Sequence, residues 1–349
     1  MRIGLVGFGH AGRFFHAPLI TSLPGVTLVG VVTRSAERRQ HLASAYPGVP
    51  AYDSLGQLAE AGVDLLVIAT PLDGRPEQVM QAIELGLAVV SEKPFAADLQ
   101  QAQHLVAAAQ HHNVLLSVYQ NRRWDSDFLT VRKLIEAGAL GAVTRFESFI
   151  ERFTPASVGN ASGGGLLRDL GSHQVDQALQ LFGPVVSVYA ERACSPQAPH
   201  LDHTFFMALT HRNGVLSHLG ASVLQNSPRP RFRVSGTSGC YSVEGLDGQE
   251  AALLAGRSPT TCGEDWGAEE HRRWGWFEQG EERERVPSEH GGWDQFYRQM
   301  IAAVEGRGPV PVLPQAAVQA LEVLDAARLS AQRGEVVTLP MMKIENRTQ

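Results

Sequence analysis

The sequence predicts an α/β protein, with a doubly wound parallel sheet at its N-terminal end and a second α/β domain built on a large, mostly antiparallel open sheet. Three observations carry this. Short apolar runs alternate with helix-like segments through the first third of the chain, the pattern of a parallel sheet with crossover helices. Beyond about residue 121 the runs lengthen, alternate in polarity and follow one another closely, as antiparallel strands do. At 349 residues, 44% hydrophobic and 19% charged, the chain is long enough for two cores. The expected division is 1–120 and 121–349.

Element by element, "RIGLVG", "TLVGVVT", "DLLVIAT", "LAVVSE" and "VLLSVY" read as buried strands, and residues 75–85 and 98–111 as intervening helices. "VTRFESFIE", "VVSVYAERA", "HTFFMALTH" and "GVLSHLGASVL" read as the strands of the second sheet. The stretch 255–292 is rich in Gly, Trp and charge and reads as a long ordered loop, partly a flap. Helical patterns follow at 293–304 and 314–333, kept apart by the prolines of "GRGPVPVLP". No internal repeat or low-complexity tract interrupts the order.

Composition narrows the partners. A net charge of -6 and the lack of a long Lys/Arg run leave no footprint for nucleic acid or a membrane surface, so a small molecule is the expected partner. Cys194, Cys240 and Cys262 are odd in number and widely spaced, which fits neither a disulfide framework nor a zinc pattern, and no metal site is expected. The glycines and Arg13 break the apolar start of the chain, so it does not read as a signal peptide. A cytoplasmic protein is expected.

Gly7, Gly9 and Gly12 have the GxGxxG spacing, directly after a strand and before a helix. The first glycine allows the tight turn, the second a close approach of the main chain to a pyrophosphate, and the third close packing of helix on strand. The helix N-terminus favours the phosphate charge. This is the dinucleotide-binding Rossmann context. At the end of the second strand, where an acid would hold the ribose hydroxyls of NAD, stand Thr33, Arg34 and Ser35. A guanidinium there suits a 2'-phosphate, so NADP is the expected cofactor, with NAD the alternative. The competing reading has Arg34 merely opening a solvated helix.

Two further stretches carry titratable groups. "GGGLLRDLGSHQVDQ" sets Asp169, His173 and Asp176 at i, i+4 and i+7, one face of a helix, after the glycine loop Gly163–Gly165. Alternatively, Asp169 only complements the helix dipole. "VVSEKPFA" places Glu92, Lys93 and Pro94 at the carboxyl end of a buried strand, the edge where ligands bind in open α/β sheets. Asn121, Arg122 and Trp124 follow the last strand of the first sheet and are candidates for substrate contact. Their alternative is an ion-paired turn with Asp125 and Asp127.

GxGxxG, EKP and the glycine-preceded DxGxHxxD, in this order, resemble the Gfo/Idh/MocA oxidoreductase family, named for glucose-fructose oxidoreductase and inositol dehydrogenase. "FHAPLI", "NRRWDSDFLTV", "DLGSHQVDQALQLFG" and "GLDGQE" are similar to the branch that contains NADP-dependent scyllo-inositol dehydrogenases. The resemblance implies that Lys93, Asp169 and His173 are catalytic, that Thr70, Pro71 and Glu92 accompany the cofactor, and that Asp176 is structural. It further implies a cyclic polyol or sugar-like substrate and a homodimer or homotetramer joined through the open sheet. Two other activities occur in the family: glycoside cleavage through transient oxidation by a held NAD, and cofactor-bound regulation without catalysis. Lys93, Asp169 and His173 together argue against the regulator. The chain departs from the family's TPNxxH-like loop, with Leu72 after Thr70-Pro71 and Arg75 where histidine would fall. Arg75 reads as a solvated side chain, with a phosphate contact as the alternative.

Overall fold

The structure, a computed structural model, describes residues 1–159 and 164–340. The α/β class expected from the sequence is what it shows. The chain forms two units: residues 1–133, 245–275 and 285–319 in the first, and 134–244, 276–284 and 320–349 in the second, of which 341–349 lie outside the described residues.

The first unit holds a six-stranded sheet of β1 (Arg2–Val6), β2 (Thr27–Val32), β3 (Ala51–Tyr52), β4 (Leu65–Ile68), β5 (Ala88–Ser91) and β6 (Leu116–Val118). The spatial order is β3-β2-β1-β4-β5-β6, and every pairing is parallel. Helices cover both faces, so the central strands have no wet side. Ile3, Leu5, Val6, all of β4, Val89 and Val90 are fully buried, which is why these runs read as continuous apolar stretches. Strand order reverses between β1 and β4, and the carboxyl ends of these two strands lead into Gly7 and Thr70. Such a switch point is where an open sheet presents a ligand crevice. β3 has two residues, too short to leave a hydrophobic pattern.

The second unit is organised on a nine-stranded sheet. Its strands are β7 (Val143–Glu151), β8 (Val185–Ser195), β9 (Ala198–His211), β10 (Leu216–Ser222), β11 (Phe232–Gly236), β12 (Cys240–Val243), β13 (Gly275–Gln279), β14 (Glu282–Val286) and β15 (Val337–Thr338). The order is β14-β13-β12-β11-β7-β10-β9-β8-β15, and β7–β10 is a parallel pair in an otherwise mostly antiparallel sheet. Along β9 buried and open positions alternate, the signature of a sheet with one covered face.

The stretch 255–292 is more regular than its composition suggests. It contains β13 and β14, and Tyr241 of β12 lies opposite Phe277 of β13. Part of the charge that made it look like a loop belongs to β14, "ERERV", a sheet-edge strand whose charged side chains discourage pairing with another chain, and the rest to short turns ahead of β13. The helices Asp294–Val304 and Pro314–Arg333 fall where their periodicity places them. Between them, the Val312 carbonyl accepts a hydrogen bond from the buried Ser117 hydroxyl at 2.9 Å, which ties the linker to β6.

Candidate active site

The glycine turn after β1 is built by three different absences of a side chain. Gly7 has φ +99°, a left-handed conformation that disfavours any Cβ, and its N–H donates to Val32 O at 3.0 Å. At Gly12 a Cβ would stand 2.1 Å from the Gly7 carbonyl oxygen, so only glycine lets the first helical turns close on the strand. At Gly9 a Cβ would meet nothing within 4 Å. This open approach to bare main chain, ahead of the wide helical turns Ala11–His16, fits a pyrophosphate.

At the end of β2, Thr33 is buried and Ser35 caps the helix Ala36–Ala45, its hydroxyl accepting the Arg38 N–H at 3.3 Å. Arg34 is exposed, and its Nε donates to Asp53 O at 3.3 Å. Sequence reasoning missed two residues of this corner. Arg39 donates to Thr33 O (3.0 Å) and pairs with the Asp53 carboxylate at 2.6 Å. The acid absent from residues 33–35 therefore enters from the end of β3, and Arg39 balances it.

The loop after β5 carries Lys93, half-buried and joined to Pro94 by a cis peptide bond. The Glu92 side chain turns inward. Its Oε2 accepts the Lys93 N–H at 2.8 Å, and its Oε1 lies 2.9 Å from Nε2 of the fully buried His16. Burial alone would raise the Glu92 carboxyl, but His16, Lys93 and Arg75 outweigh it and hold the group below the usual carboxylate range. A carboxylate can only accept, so His16 Nε2 bears the proton. Burial, with Tyr119 and Glu92 nearby, pushes the Tyr297 hydroxyl well up, so it keeps its proton, and it hydrogen-bonds His16 Nδ1. His16 thus links Tyr297 to Glu92. "FHAPLI" marked this histidine as a motif residue without showing its role.

Thr70 is half-buried, its hydroxyl donating to Gln78 Oε1 at 2.6 Å, and Pro71 is exposed. Arg75 is not solvated as its sequence context suggests. It is 5% exposed and donates to the carbonyls of Thr70, Glu92 and Pro94. A position inside a helix start reads as surface until the fold packs another loop over it.

Asn121 and Arg122 lie buried in a single helical turn. Arg122 pairs with Asp125 at 3.1 Å and Glu250 at 2.5 Å, which accounts for the closing acid of "GLDGQE". Asp247 of the same motif accepts the Ser126 N–H at 2.7 Å and so caps the helix Ser126–Glu136. Burial, with Asp247 and Asp127 nearby, pushes the Asp125 carboxyl well up against the pull of Arg122 and the Trp293 indole N–H. Trp124 lines a cavity of about 470 Å³ with Leu129, Trp266 and Asp294. No residue of the glycine turn or of the Glu92–Pro94 loop lines it, so this cavity is separate from the chemistry sketched above.

Lys93 belongs to the first unit, and Asp169 and His173 to the second. Gly163, first of the three loop glycines, lies outside the described residues. Leu166–Asp169 and Gly171–Phe182 are consecutive helices hinged at Leu170, so Asp169 and His173 sit on adjoining turns rather than on one continuous helix. Asp169 is half-exposed, His173 nearly buried at 5%, and Asp176 buried. Asp202 of β9, unremarked in the sequence, accepts the Leu167 N–H at 2.6 Å and fixes the start of the first helix. A Cβ on Gly165 would strike that carboxylate at 2.3 Å, and Gly165 has φ +99°, two reasons for glycine there. Burial raises the Asp202 carboxyl, with the Leu167 N–H opposing. The second helix is pinned to the sheet by Gln174, whose amide donates to Ser148 O at 2.7 Å and Gly220 O at 3.0 Å, and by Arg231, which reaches Gln177 at 2.8 Å. Among the described residues, no group of three or more His, Cys, Asp or Glu is placed to hold a metal, and no helix is long and apolar enough to cross a membrane.

A glycine turn at the switch point of a doubly wound sheet, in one chain with a second α/β unit, is the architecture of a nicotinamide-dependent oxidoreductase. Residues 1–120 match the oxidoreductase family described as an NAD-binding Rossmann fold, and residues 128–242 the GFO/IDH/MocA C-terminal domain. The chain belongs to the GFO/IDH/MocA oxidoreductase family. It is 35% identical to the oxidoreductase YdgJ of Escherichia coli, over 97% of this chain and 99% of that one. It is 29% identical to the scyllo-inositol 2-dehydrogenase (NADP(+)) IolW of Bacillus subtilis, over 97% and 96%. A solved oxidoreductase from Yersinia pestis superposes with a TM-score of 0.91 at 32% identity, covering 98% of both chains.

Proposed function

We propose that this enzyme is an NADP-dependent dehydrogenase that interconverts a cyclic polyol and its ketone, with scyllo-inositol or a related inosose as the substrate class. The observation carrying the cofactor half is the exposed Arg34 guanidinium at the end of β2, with the Asp53 carboxylate of that corner paired to Arg39. A charge-assisted fork to a 2'-phosphate is worth about 1.5–3 kcal/mol. The substrate half rests on likeness to a relative named for scyllo-inositol and NADP.

The cofactor, when bound, supplies the hydride chemistry at its nicotinamide. Gly7, Gly9 and Gly12 hold the pyrophosphate, Thr33, Arg34 and Ser35 border the ribose, and Thr70, Pro71 and Glu92 shape the loops at the switch point. Lys93 orients the reacting oxygen. His173 exchanges the hydroxyl proton, and Asp169 positions the substrate. Asn121 borders the substrate, while Arg122 acts through its ion pairs and Trp124, on the separate cavity, takes no part.

The test is a panel of inositols, inososes, aldoses and ketoses with each nicotinamide cofactor, followed by absorbance of the reduced form. Turnover of a polyhydroxylated ring with NADP(H) is expected, and deoxy analogues should be strongly rejected because unpaired polar groups would remain in the site. Equal use of NADH would defeat the cofactor assignment. Hydrolysis of aryl glycosides with a retained, unconsumed cofactor would replace the dehydrogenase by the glycosidase.

A further inference from the structure

The buried arginine stands where the family loop commonly carries histidine, and its hydrogen bonds give it a task. Arg75 opens the helix Arg75–Glu84, and Gly74, at φ +82°, turns the chain so that the side chain runs inward. Its Nε and Nη2 straddle the Thr70 carbonyl at 2.9 and 2.6 Å. Its Nη1 donates to Glu92 O at 2.8 Å and to Pro94 O at 2.5 Å. Burying a guanidinium is costly unless its donors are matched, so a 5% exposed arginine with every nitrogen on a carbonyl is a built feature of the fold. With all three nitrogens turned to main chain, it is not placed to hold a phosphate.

The two Nη1 acceptors are the carbonyls on either side of Lys93. From the other side, the Glu92 carboxylate holds the Lys93 N–H, itself fixed through His16 and Tyr297. The Thr70 carbonyl belongs to the loop after β4, so one guanidinium ties together both loops at the carboxyl ends of β4 and β5. We propose that Arg75 is a positioning residue that sets the main chain of Lys93 and joins its placement to that of the Thr70–Pro71 loop. This rests on Lys93 acting as proposed above, and it adds a role for a residue that touches no reacting atom. An ammonium at this position cannot replace the planar fork.

The experiment compares Arg75→Ala and Arg75→Lys with the unmodified protein. Amide hydrogen exchange over residues 88–99, in protein free of cofactor, reads the clamp directly. Faster exchange at this segment, with the rest of the chain unchanged, is expected in both variants. With substrate and NADPH, kcat should fall about 10²-fold in Arg75→Ala, the size of effect a small misplacement of a catalytic group produces, while KM moves less than about threefold. Ethylguanidinium added to Arg75→Ala should restore part of both the protection and the turnover. If Arg75→Ala does not fold, Arg75→Lys decides, with intermediate exchange and turnover expected. Unmodified exchange at residues 88–99 in a folded variant, or unmodified kcat, overturns the inference. Absence of turnover by the unmodified protein with every substrate counts instead against the proposed function, and exchange alone then decides the clamp.

Discussion

Gly9 and Gly12 are three residues apart in one motif, yet the geometry separates what each does. A methyl group at Gly12 would lie 2.1 Å from the main-chain oxygen of Gly7, and a carbonyl in a tight turn cannot swing away as a flexible side chain would. Overpacking of this kind costs about 1–3 kcal/mol. At about 2–4 °C per kcal/mol for domains of this size, Gly12→Ala should lower Tm by roughly 2–12 °C. A methyl at Gly9 meets nothing, so Gly9→Ala should leave the Tm of the cofactor-free protein unchanged or slightly higher, since alanine restricts the unfolded chain by about 0.4–1 kcal/mol. The damage appears on adding NADPH. Loss of close main-chain approach to a charged group is worth about 1.5–3 kcal/mol, a roughly 10- to 150-fold weaker Kd. Calorimetric melting with and without NADPH, together with quenching or enhancement of its fluorescence, reads both quantities. Normal NADPH affinity in Gly9→Ala would show that the open space is not the phosphate cradle, and normal stability in Gly12→Ala would show that the turn has more slack than the contact allows.

Arg34→Ala should weaken NADPH about 10- to 150-fold and hardly alter NADH, measured by titration of each. Arg39→Ala should shift preference the same way by freeing the Asp53 carboxylate, and adding Asp53→Asn should reverse it; failure of that reversal would make Arg39 a direct phosphate ligand. His173→Ala should cost about 10²- to 10⁴-fold in kcat at unchanged NADPH affinity, and near-normal turnover would remove His173 from the reaction. Glu92 is held below its ordinary value near 4.5, so its contribution to stability is complete above that pH and drains away as pH falls through the lower, folded value. Denaturant melts against pH should therefore show a shallower acid limb for Glu92→Gln than for the unmodified chain; identical limbs would mean the depressed carboxyl is not what acid attacks.

What the sequence makes legible here are features with a local period or a local turn. β1, β4 and β5 are readable because both their faces are buried, and Gly7, Gly9 and Gly12 because each meets a need within a few residues of itself. The inward acids and bases are not readable, since their partners lie far along the chain: His16 finds Glu92 and Tyr297, Asp247 finds Ser126, and Asp202 finds Leu167. The corner at the end of β2 shows how such distance changes a conclusion. Residues 33–35 contain no acid, which on local grounds means a site without negative charge. β3 pairs parallel to β2, however, so its end must emerge beside the end of β2, and the residue that follows it is Asp53. Parallel strands thus deliver a carboxylate to the ribose corner regardless of what β2 itself carries, and the proposed preference for NADP then depends on a cation reaching that carboxylate before the phosphate does. Arg39, one helical turn beyond Ser35, is in place to do so at 2.6 Å, leaving Arg34 as the exposed guanidinium of the pair.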